Sequence, residues 1–332
     1  MTPELSVIIP VYNSAEYISE AIASILNQSY RNFELLIIND GSKDNSGTII
    51  KSYEDSRIRY FENDGNKGMV YSLNRGIDES KGRYIVRMDA DDIALPSRLE
   101  RQFDFMELHL DIGVSGTFAE YIGERTGIWK YDVSHNEIKC HLMWGSSLIH
   151  PTAIVRKDIL IKNNIRYEEH YHDTADFKLW VNLGRVSKLA NLPEVLLKYR
   201  VHKDQATIAR KKLMDENKTE IIIGQLSITG VNISESDFAI LRRFITFEYG
   251  FSISELKRLF EIYTDFISKN NFTKEYSPHI INLQISRRLF EASYFSTQQC
   301  GINAVRLFKK HFGLNNISFV EKLKFYYKGI KK

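Results

Sequence analysis

Asp89-Ala90-Asp91-Asp92 places three carboxylates within four residues. The cluster directly follows the apolar run Tyr84-Ile85-Val86-Arg87-Met88 and precedes Pro96. Like charges packed this closely are costly unless a cation shares the site. Alternate residues of an extended segment point the same way, so Asp89 and Asp91 can face one ligand together. Hard oxygen donors suit Mg²⁺ or Mn²⁺, and Mg²⁺ typically keeps waters and completes its shell with substrate phosphates. The competing reading makes Asp91 or Asp92 a cap for a helix whose first turn begins near Pro96.

The elements around this cluster alternate strand and helix patterns, as a parallel sheet requires. Ser6–Ile9 reads as a buried strand ending at Pro10. Asn13 with Glu16 three residues on has the form of a capping box, and Ala15 to Asn27 carries the helical spacing of Ile18, Ala21, Ile22, Ile25 and Leu26. Phe33–Ile38 is a second strand, closed by Asn39-Asp40-Gly41-Ser42, and Lys43 to Glu54 is a helix. Ile58–Phe61 is a third strand, followed by the turn cluster Asp64-Gly65-Asn66-Lys67-Gly68. Met69 to Ser80 is a helix and Tyr84 to Met88 a fourth strand. Polar residues therefore collect at the carboxyl ends of the strands, where open α/β sheets bind ligands. No G-x-G-x-x-G follows the first strand and no G-x-x-x-x-G-K-[ST] occurs. That disfavours a dinucleotide enzyme and a P-loop NTPase.

The chain has 332 residues, 43% hydrophobic and 26% charged, enough for one large or two ordinary globular domains. Its net charge of +3 is too small to argue for nucleic acid. Cys140 and Cys300 lie far apart, which suggests a reducing compartment without a disulfide framework. The N-terminus lacks the charged and apolar regions of a signal peptide, and no run of eighteen apolar residues marks a membrane span. A cytoplasmic location is expected.

Five short motifs occur in order: Val7-Ile8-Ile9-Pro10-Val11-Tyr12-Asn13, Ile38-Asn39-Asp40-Gly41-Ser42-Lys43-Asp44, Asn66-Lys67-Gly68, Leu73-Asn74-Arg75-Gly76-Ile77 and Met88-Asp89-Ala90-Asp91-Asp92. Together they resemble the signature set of family 2 glycosyltransferases, which have the GT-A nucleotide-sugar transferase fold. The resemblance covers residues 5–110 strongly. It continues more weakly through His150-Pro151-Thr152, Asp176-Phe177-Lys178-Leu179-Trp180 and Tyr199-Arg200-Val201-His202.

Glycosyl transfer requires that the donor base be held, the leaving diphosphate be neutralised, and an acceptor hydroxyl lose a proton. Asp40 stands where a carboxylate can accept an N–H from a pyrimidine, and Pro10 and Tyr12 can supply backbone contacts and a stacking face. Read without the family, Asp40-Gly41-Ser42 is an Asx turn that starts the next helix. The resemblance implies that Asp40 contacts the base, that Tyr12 lies over it, and that the donor is a UDP-sugar. It places Val11, Asn13, Gly68 and Ala90 in the same nucleotide-sugar site. Lys67 either reaches a phosphate or is a solvated loop lysine. By the same resemblance, Asp91 binds Mn²⁺ or Mg²⁺, Asp89 binds ribose or metal, and Asp92 does either job or caps a helix. His202 reaches the metal or diphosphate, with Arg200 adding charge; the alternative for both is a solvated basic turn. Asp176 matches the acid that serves the family as base. The family usually has an acidic pair here, whereas Ala175 precedes Asp176, so Asp173 can share the role. A first-turn helix acid is the plainer reading of Asp176. His170-x-His172-Asp173 can also be read as metal ligands, a weak signal without a third partner.

The Gln-x-x-Arg-Trp motif of processive polysaccharide synthases is missing, which favours addition of a single sugar. The resemblance implies an inverting, metal-dependent hexosyl- or N-acetylhexosaminyltransferase of bacterial surface-polysaccharide synthesis, acting on a glycan or lipid-linked glycan. Its rivals are a sugar-nucleotide nucleotidyltransferase, which would carry a Gly-rich basic loop after the first strand, and a non-catalytic nucleotide-sugar or glycan-binding subunit. The expected architecture is a GT-A domain over 1–212 and a mainly helical region over 213–332. In the latter, Leu256, Leu259, Phe260 and Tyr263 fall at helical spacing, as do Ile281, Leu283, Ile285, Leu289 and Phe290 less regularly. Residues 301–332 hold eight lysines and arginines against Glu321 alone, a balance of +7, interleaved with aromatics. That pattern suits either an anionic membrane surface on the cytoplasmic side or a solvated basic helix with an aromatic packing face.

Overall fold

The computed structural model describes residues 2–202, 211–313 and 318–330. The chain divides into two compact units, 1–210 and 211–332.

The first unit is built on one nine-stranded mixed sheet. Strands β1 (Leu5–Val11), β2 (Phe33–Asn39), β3 (Ile58–Glu62) and β4 (Tyr84–Arg87) pair in parallel in the order β3-β2-β1-β4. β1, β2 and β4 are buried almost throughout because helices cover both faces, which is why they read as continuous apolar runs. Between them run α1 (Ile18–Leu26), α2 (Ser46–Lys51) and α3 (Met69–Glu79). Gly76 lets α3 approach β1, since a Cβ there would stand 2.5 Å from Ile8 Cγ2.

The sheet continues past β4 with a change of direction. The short β5 (Ile93–Ala94) leads into α4 (Arg98–Leu108), the long β6 (Ile112–Gly123) and β7 (Gly127–Trp129). Then come α5 (His135–His141), a 3-10 turn at His150–Thr152, β8 (Ile154–Arg156) and α6 (Lys157–Lys162). A 3-10 segment at Glu169–Thr174 runs into α7 (Ala175–Leu183), and β9 (Lys188–Val201) closes the unit. β8 pairs antiparallel with β4 and β6, and β9 runs parallel to β6 and antiparallel to β5. The motif Tyr199-Arg200-Val201-His202 thus runs off the end of a fourteen-residue strand.

Three helix starts differ from the sequence reading, and one of them is α2, which begins at Ser46 rather than Lys43. No capping box forms between Asn13 and Glu16, and α1 begins only at Ile18. The backbone N–H groups of Ser14 and Ala15 donate instead to Ser46 Oγ (2.8 Å) and Asp44 Oδ2 (2.9 Å) from the loop after β2. Asn13 adopts a left-handed φ of 49° and bridges the two loops. Distant side chains thus hold the turn ahead of α1, which itself has no side-chain cap. Ser97, not Asp91 or Asp92, stands at the N-terminus of α4.

The second unit is helical: α8 (Lys211–Ile228), α9 (Glu235–Ile245), α10 (Ile253–Thr273), α11 (Pro278–Phe295), the short α12 (Thr297–Cys300), α13 (Ile302–Phe312) and α14 (Phe319–Ile330). Leu256, Leu259, Phe260 and Tyr263 are fully buried, as are Ile281, Ile285 and Leu289. Leu283 is not part of that stripe. It stands two residues from Ile281, on another side of the helix, and is exposed. Phe290 packs edge-on against Phe308 and Phe325 at 5.5 and 5.1 Å. No described helix is long and apolar enough to cross a membrane.

Candidate functional site

The first three parallel strands end in loops that are tied to one another. Asp40, just past β2, is buried, and its backbone N–H donates to Val11 O at 2.8 Å. Its carboxylate accepts from Asn63 Nδ2 (2.7 Å) and from the backbone N–H groups of Lys67 (2.9 Å) and Gly68 (2.8 Å). Asp40 therefore shapes the loop 63–68 whatever else it binds. Arg75 on α3 steadies the same network, donating to Asn63 Oδ1 at 2.6 Å. Gly41 sits at φ 68°, and a Cβ there would lie 2.6 Å from the Gly65 carbonyl carbon, so only glycine lets the two loops close.

Asn13 ties the first loop to the second. Its backbone N–H donates to Ser42 Oγ at 3.0 Å, and its Oδ1 accepts from the Lys43 N–H at 2.8 Å. Tyr12 stands exposed beside it, and Pro10 is half-buried. Val11 and Ala90 turn their side chains into the core, so each can offer a ligand only backbone. The Lys67 side chain is exposed.

β4 delivers the acidic cluster. Ligand atoms of Asp89, Asp91 and Asp92 lie within 4.8 Å of one another, the single such His/Cys/Asp/Glu grouping among the described residues. His170 and His172 do not belong to one: His170 packs on the Tyr171 ring, and His172 pairs with Asp173. The three aspartates differ in surroundings. Asp89 forms an ion pair with Arg87, which is buried in β4. Asp91 is half-buried, and burial together with Asp89 raises its carboxyl above the usual range, against the opposing pull of His202. Asp92 is fully buried and pushed up further, by burial and then by its two acidic neighbours. Its Oδ2 has no hydrogen-bond partner. Three carboxylates converging in a partly dehydrated corner, one with an open oxygen, fit a divalent cation with hard-oxygen preference.

β9 returns alongside β5 and brings cationic groups to these acids. The Arg200 N–H donates to Asp92 Oδ1 at 2.9 Å, and Arg200 Nε donates to Asp91 O at 2.8 Å. The Arg200 guanidinium continues to Glu20 on α1 (2.6 Å) and lies over the Tyr17 ring. His202 stacks on Tyr17 and sets Nε2 3.1 Å from Asp91 Oδ2. Here the structure joins residues that are more than a hundred positions apart in the sequence.

Asp176 occupies the first turn of α7, half-buried, with Oδ2 accepting from Ser146 Oγ at 3.2 Å. Burial raises its carboxyl. Arg87 is the common neighbour: its charge acts on Asp89 and Asp92 and also on Asp176. Tyr167 feels both Asp176 and Asp89 and holds His150 Nε2 through its hydroxyl at 2.8 Å. Asp173, by contrast, is engaged with His172 at 3.0 Å.

Sequence reasoning passed over Asn63 and Tyr17, and noted Arg87 and Arg75 only as members of an apolar run and a motif. An arginine in the middle of an apolar strand was the available signal for Arg87. Asn74, noted only as part of a motif, clamps the Tyr167 backbone from both sides at 2.9 and 3.1 Å.

Residues 6–166 match the family model described as Glycosyl transferase family 2. An uncharacterized glycosyltransferase of Haemophilus influenzae is 35% identical over 248 residues, 70% of this chain and 77% of the relative. The O-antigen biosynthesis glycosyltransferase WbnJ of Escherichia coli is 34% identical over 60% of this chain and 80% of its own. Among solved structures, S. aureus TarS 1–349 in complex with UDP-GlcNAc superimposes with a TM-score of 0.60 at 18% identity, covering 89% and 92% of the two chains. The mannosyltransferase PcManGT of Pyrobaculum calidifontis, in complex with GDP-Man and Mn²⁺, gives 0.53 at 14% identity over 99% and 86%. These structures share the fold: a mostly parallel mixed sheet flanked by helices, followed by a helical region.

Proposed function

The chain belongs to glycosyltransferase family 2, and on that premise we propose that it moves one sugar from a UDP-sugar to a hydroxyl of a glycan or lipid-linked glycan, with inversion at the anomeric carbon. The observation that carries this reading is the convergence of Asp89, Asp91 and Asp92 with His202 at the carboxyl end of β4, beside the Asp40 loop. The UDP-GlcNAc bound by TarS supports the donor class, and the role of WbnJ supports a bacterial surface glycan as acceptor. A lipid-linked acceptor puts the site of action at the cytoplasmic face of a membrane.

Each group has a task. Tyr12 offers a ring face to the base, and Pro10, Val11 and Asn13 line the same edge. Asp40 has a carboxylate oxygen with lone-pair capacity left for a base N–H, while Lys67 and Gly68 frame that pocket. Asp89 takes the ribose or shares the metal, and Ala90 can contribute its backbone to the nucleotide-sugar. Asp91 holds Mn²⁺ or Mg²⁺, with His202 and Asp89 adjacent and Asp92 completing the negative field. The cation supplies Lewis-acid stabilisation of the departing diphosphate. Arg200 adds fixed positive charge next to it. Asp176 accepts the proton of the acceptor hydroxyl as its oxygen bonds to the anomeric carbon and the bond to the diphosphate oxygen breaks. Its raised carboxyl makes it a stronger base than an ordinary aspartate. Asp173 is the secondary candidate, already engaged by His172. The donor chemistry lies in residues 1–212, and 213–332 form a separate helical region.

The test is transfer and slow donor hydrolysis with a panel of UDP- and GDP-sugars, with Mn²⁺ or with chelator. Turnover of a UDP-hexose or UDP-N-acetylhexosamine that needs the metal is the expected result. Turnover of GDP-mannose alone would remove the UDP assignment, and binding without any turnover would favour a non-catalytic binding subunit.

A further inference from the structure

Helix α14 carries its apolar residues on two opposite sides. Phe325 is fully buried among Phe290, Phe308 and Tyr294, and Gly329 lies against Val305, where a Cβ would stand 2.8 Å from Val305 Cγ2. That side packs into the second unit. Val320, Leu323, Tyr327 and Ile330 are exposed by 57, 56, 62 and 72%. At about 100° per residue these four fall within one narrow stripe, turned away from Phe325. A helix already anchored by one apolar face has no folding reason to carry a second.

The charges carried by α13 and α14 are mainly of one sign. Lys322, Lys324 and Lys328 lie on α14, Lys328 with its ammonium over the Tyr294 and Phe295 rings at 4.1 and 5.7 Å, and Lys309 and Lys310 lie in the last turn of α13. Glu321, the sole acid of residues 301–332, is already neutralised. Its carboxylate accepts from Ser318 Oγ at 2.7 Å in an N-terminal cap and pairs with Arg287 at 3.0 Å. Lys331 and Lys332, which share in the +7 balance, lie outside the described residues, as does the side chain of Phe319.

We infer that the exposed α14 face is a docking surface for an anionic phospholipid bilayer, lying in the plane of the interface with Val320, Leu323, Tyr327 and Ile330 inserted and the lysines on headgroup phosphates. An apolar stripe on a helix whose lysines outnumber its single acid is the combination such a surface attracts. A second copy of the chain fits less well, because two such faces would bring like charges together. The inference extends the reading of a lipid-linked acceptor but does not depend on catalysis. The α14 helix is short, so binding is reversible rather than a permanent anchor.

Co-sedimentation of the full-length protein with phosphatidylcholine vesicles, with and without phosphatidylglycerol, tests this. The expected result is at least about tenfold stronger partitioning onto the anionic vesicles, weakened by added salt. Leu323→Gln combined with Ile330→Gln should lower partitioning about tenfold at unchanged melting temperature. Lys322→Gln with Lys324→Gln should remove most of the preference for phosphatidylglycerol. Vesicle binding unaffected by both pairs overturns the inference. So does light scattering showing a dimer that Leu323→Gln and Ile330→Gln dissolve, since the face would then join copies of the chain. Hydrolysis of a soluble nucleotide sugar, measured on the same variants, should stay unchanged. Loss of vesicle binding with hydrolysis intact separates the bilayer from the transfer reading.

Discussion

His202 Nε2 lies 3.1 Å from Asp91 Oδ2, a contact that spans 111 positions of sequence. The pair joins the end of β9 to the end of β4, and the Arg200–Asp92 contact beside it secures the same junction. Asp91 is thereby held at a fixed angle in the acidic cluster.

Asp91→Asn should lower transfer about a hundredfold or more while leaving the fold intact, because a neutral amide is a much weaker ligand for the cation proposed to neutralise the leaving diphosphate. His202→Ala should lower it less, by about ten- to a hundredfold, the range for groups that orient or assist a ligand. Chelator should reproduce the Asp91→Asn loss in the native protein. Full activity of Asp91→Asn in chelator would sink the metal-dependent mechanism. Circular dichroism on the variants guards against misfolding.

Asp176 yields a prediction about pH. Its carboxyl is raised in the folded protein by burial. A base must be ionised to accept a proton, so activity should fall as pH drops through this raised value, above the ordinary aspartate range. Stability runs the other way. A carboxylate whose folded value is raised favours folding when protonated and opposes it once ionised, as at neutral pH. Asp176→Asn should therefore abolish turnover, leave donor affinity nearly unchanged, and hold or slightly raise the melting temperature at pH 7. A comparable loss in Asp173→Asn with Asp176→Asn still active would move the base to Asp173.

Asp40→Asn is nearly isosteric, yet an amide carries one oxygen where the carboxylate uses two. Asp40 accepts from Asn63, Lys67 and Gly68. The amide must turn its NH₂ toward at least one of these donors. Loop 63–68 should loosen, and KM for the donor should rise about tenfold, equivalent to one lost hydrogen bond of about 1.4 kcal/mol. An unchanged KM would mean that the loop takes no part in donor binding.

In the second unit, Arg258 grips Asp237 with two hydrogen bonds of 2.8 Å, and Asp237 also caps α9 at Ser234. Arg258 holds the Asp237 carboxyl well below its ordinary range. A depressed folded value contributes stability that is present above about pH 4 and lost as pH falls toward it. Asp237→Ala should destabilise this unit by about 1 kcal/mol at pH 7, since it removes the cap at Ser234 and leaves the partly exposed Arg258 with only the weaker contacts to Glu261 and Asn232 O. The difference from the native protein should shrink in acid. Thermal melts at pH 7 and pH 3 would show it.

Much of the catalytic half is written locally. Apolar runs of four to seven residues mark strands covered on both faces, and turn residues at their carboxyl ends mark where ligands gather. Spacing alone places Asp89 and Asp91 on one side of an extended segment. The helical stripes of α10 are equally legible, because Leu256, Leu259, Phe260 and Tyr263 recur with the helix period. These signals survive because each depends on neighbours within a few residues. Other features depend on partners far away in the chain. Nothing near Asn13 indicates that Asp44 and Ser46 will bind the backbone of Ser14 and Ala15 ahead of α1, and nothing near Tyr199 indicates that β9 will lie beside β5. Leu283 carries the right residue type on the wrong side of α11. The sequence of 301–332 suits a membrane surface or a packing face equally, and the packing of Phe325 leaves Val320, Leu323, Tyr327 and Ile330 outside. Periodicity states which residues share a face. Which face is buried, and which distant groups meet there, follows from burying the most apolar surface while leaving each polar group a partner, and that is settled only when the whole chain has folded.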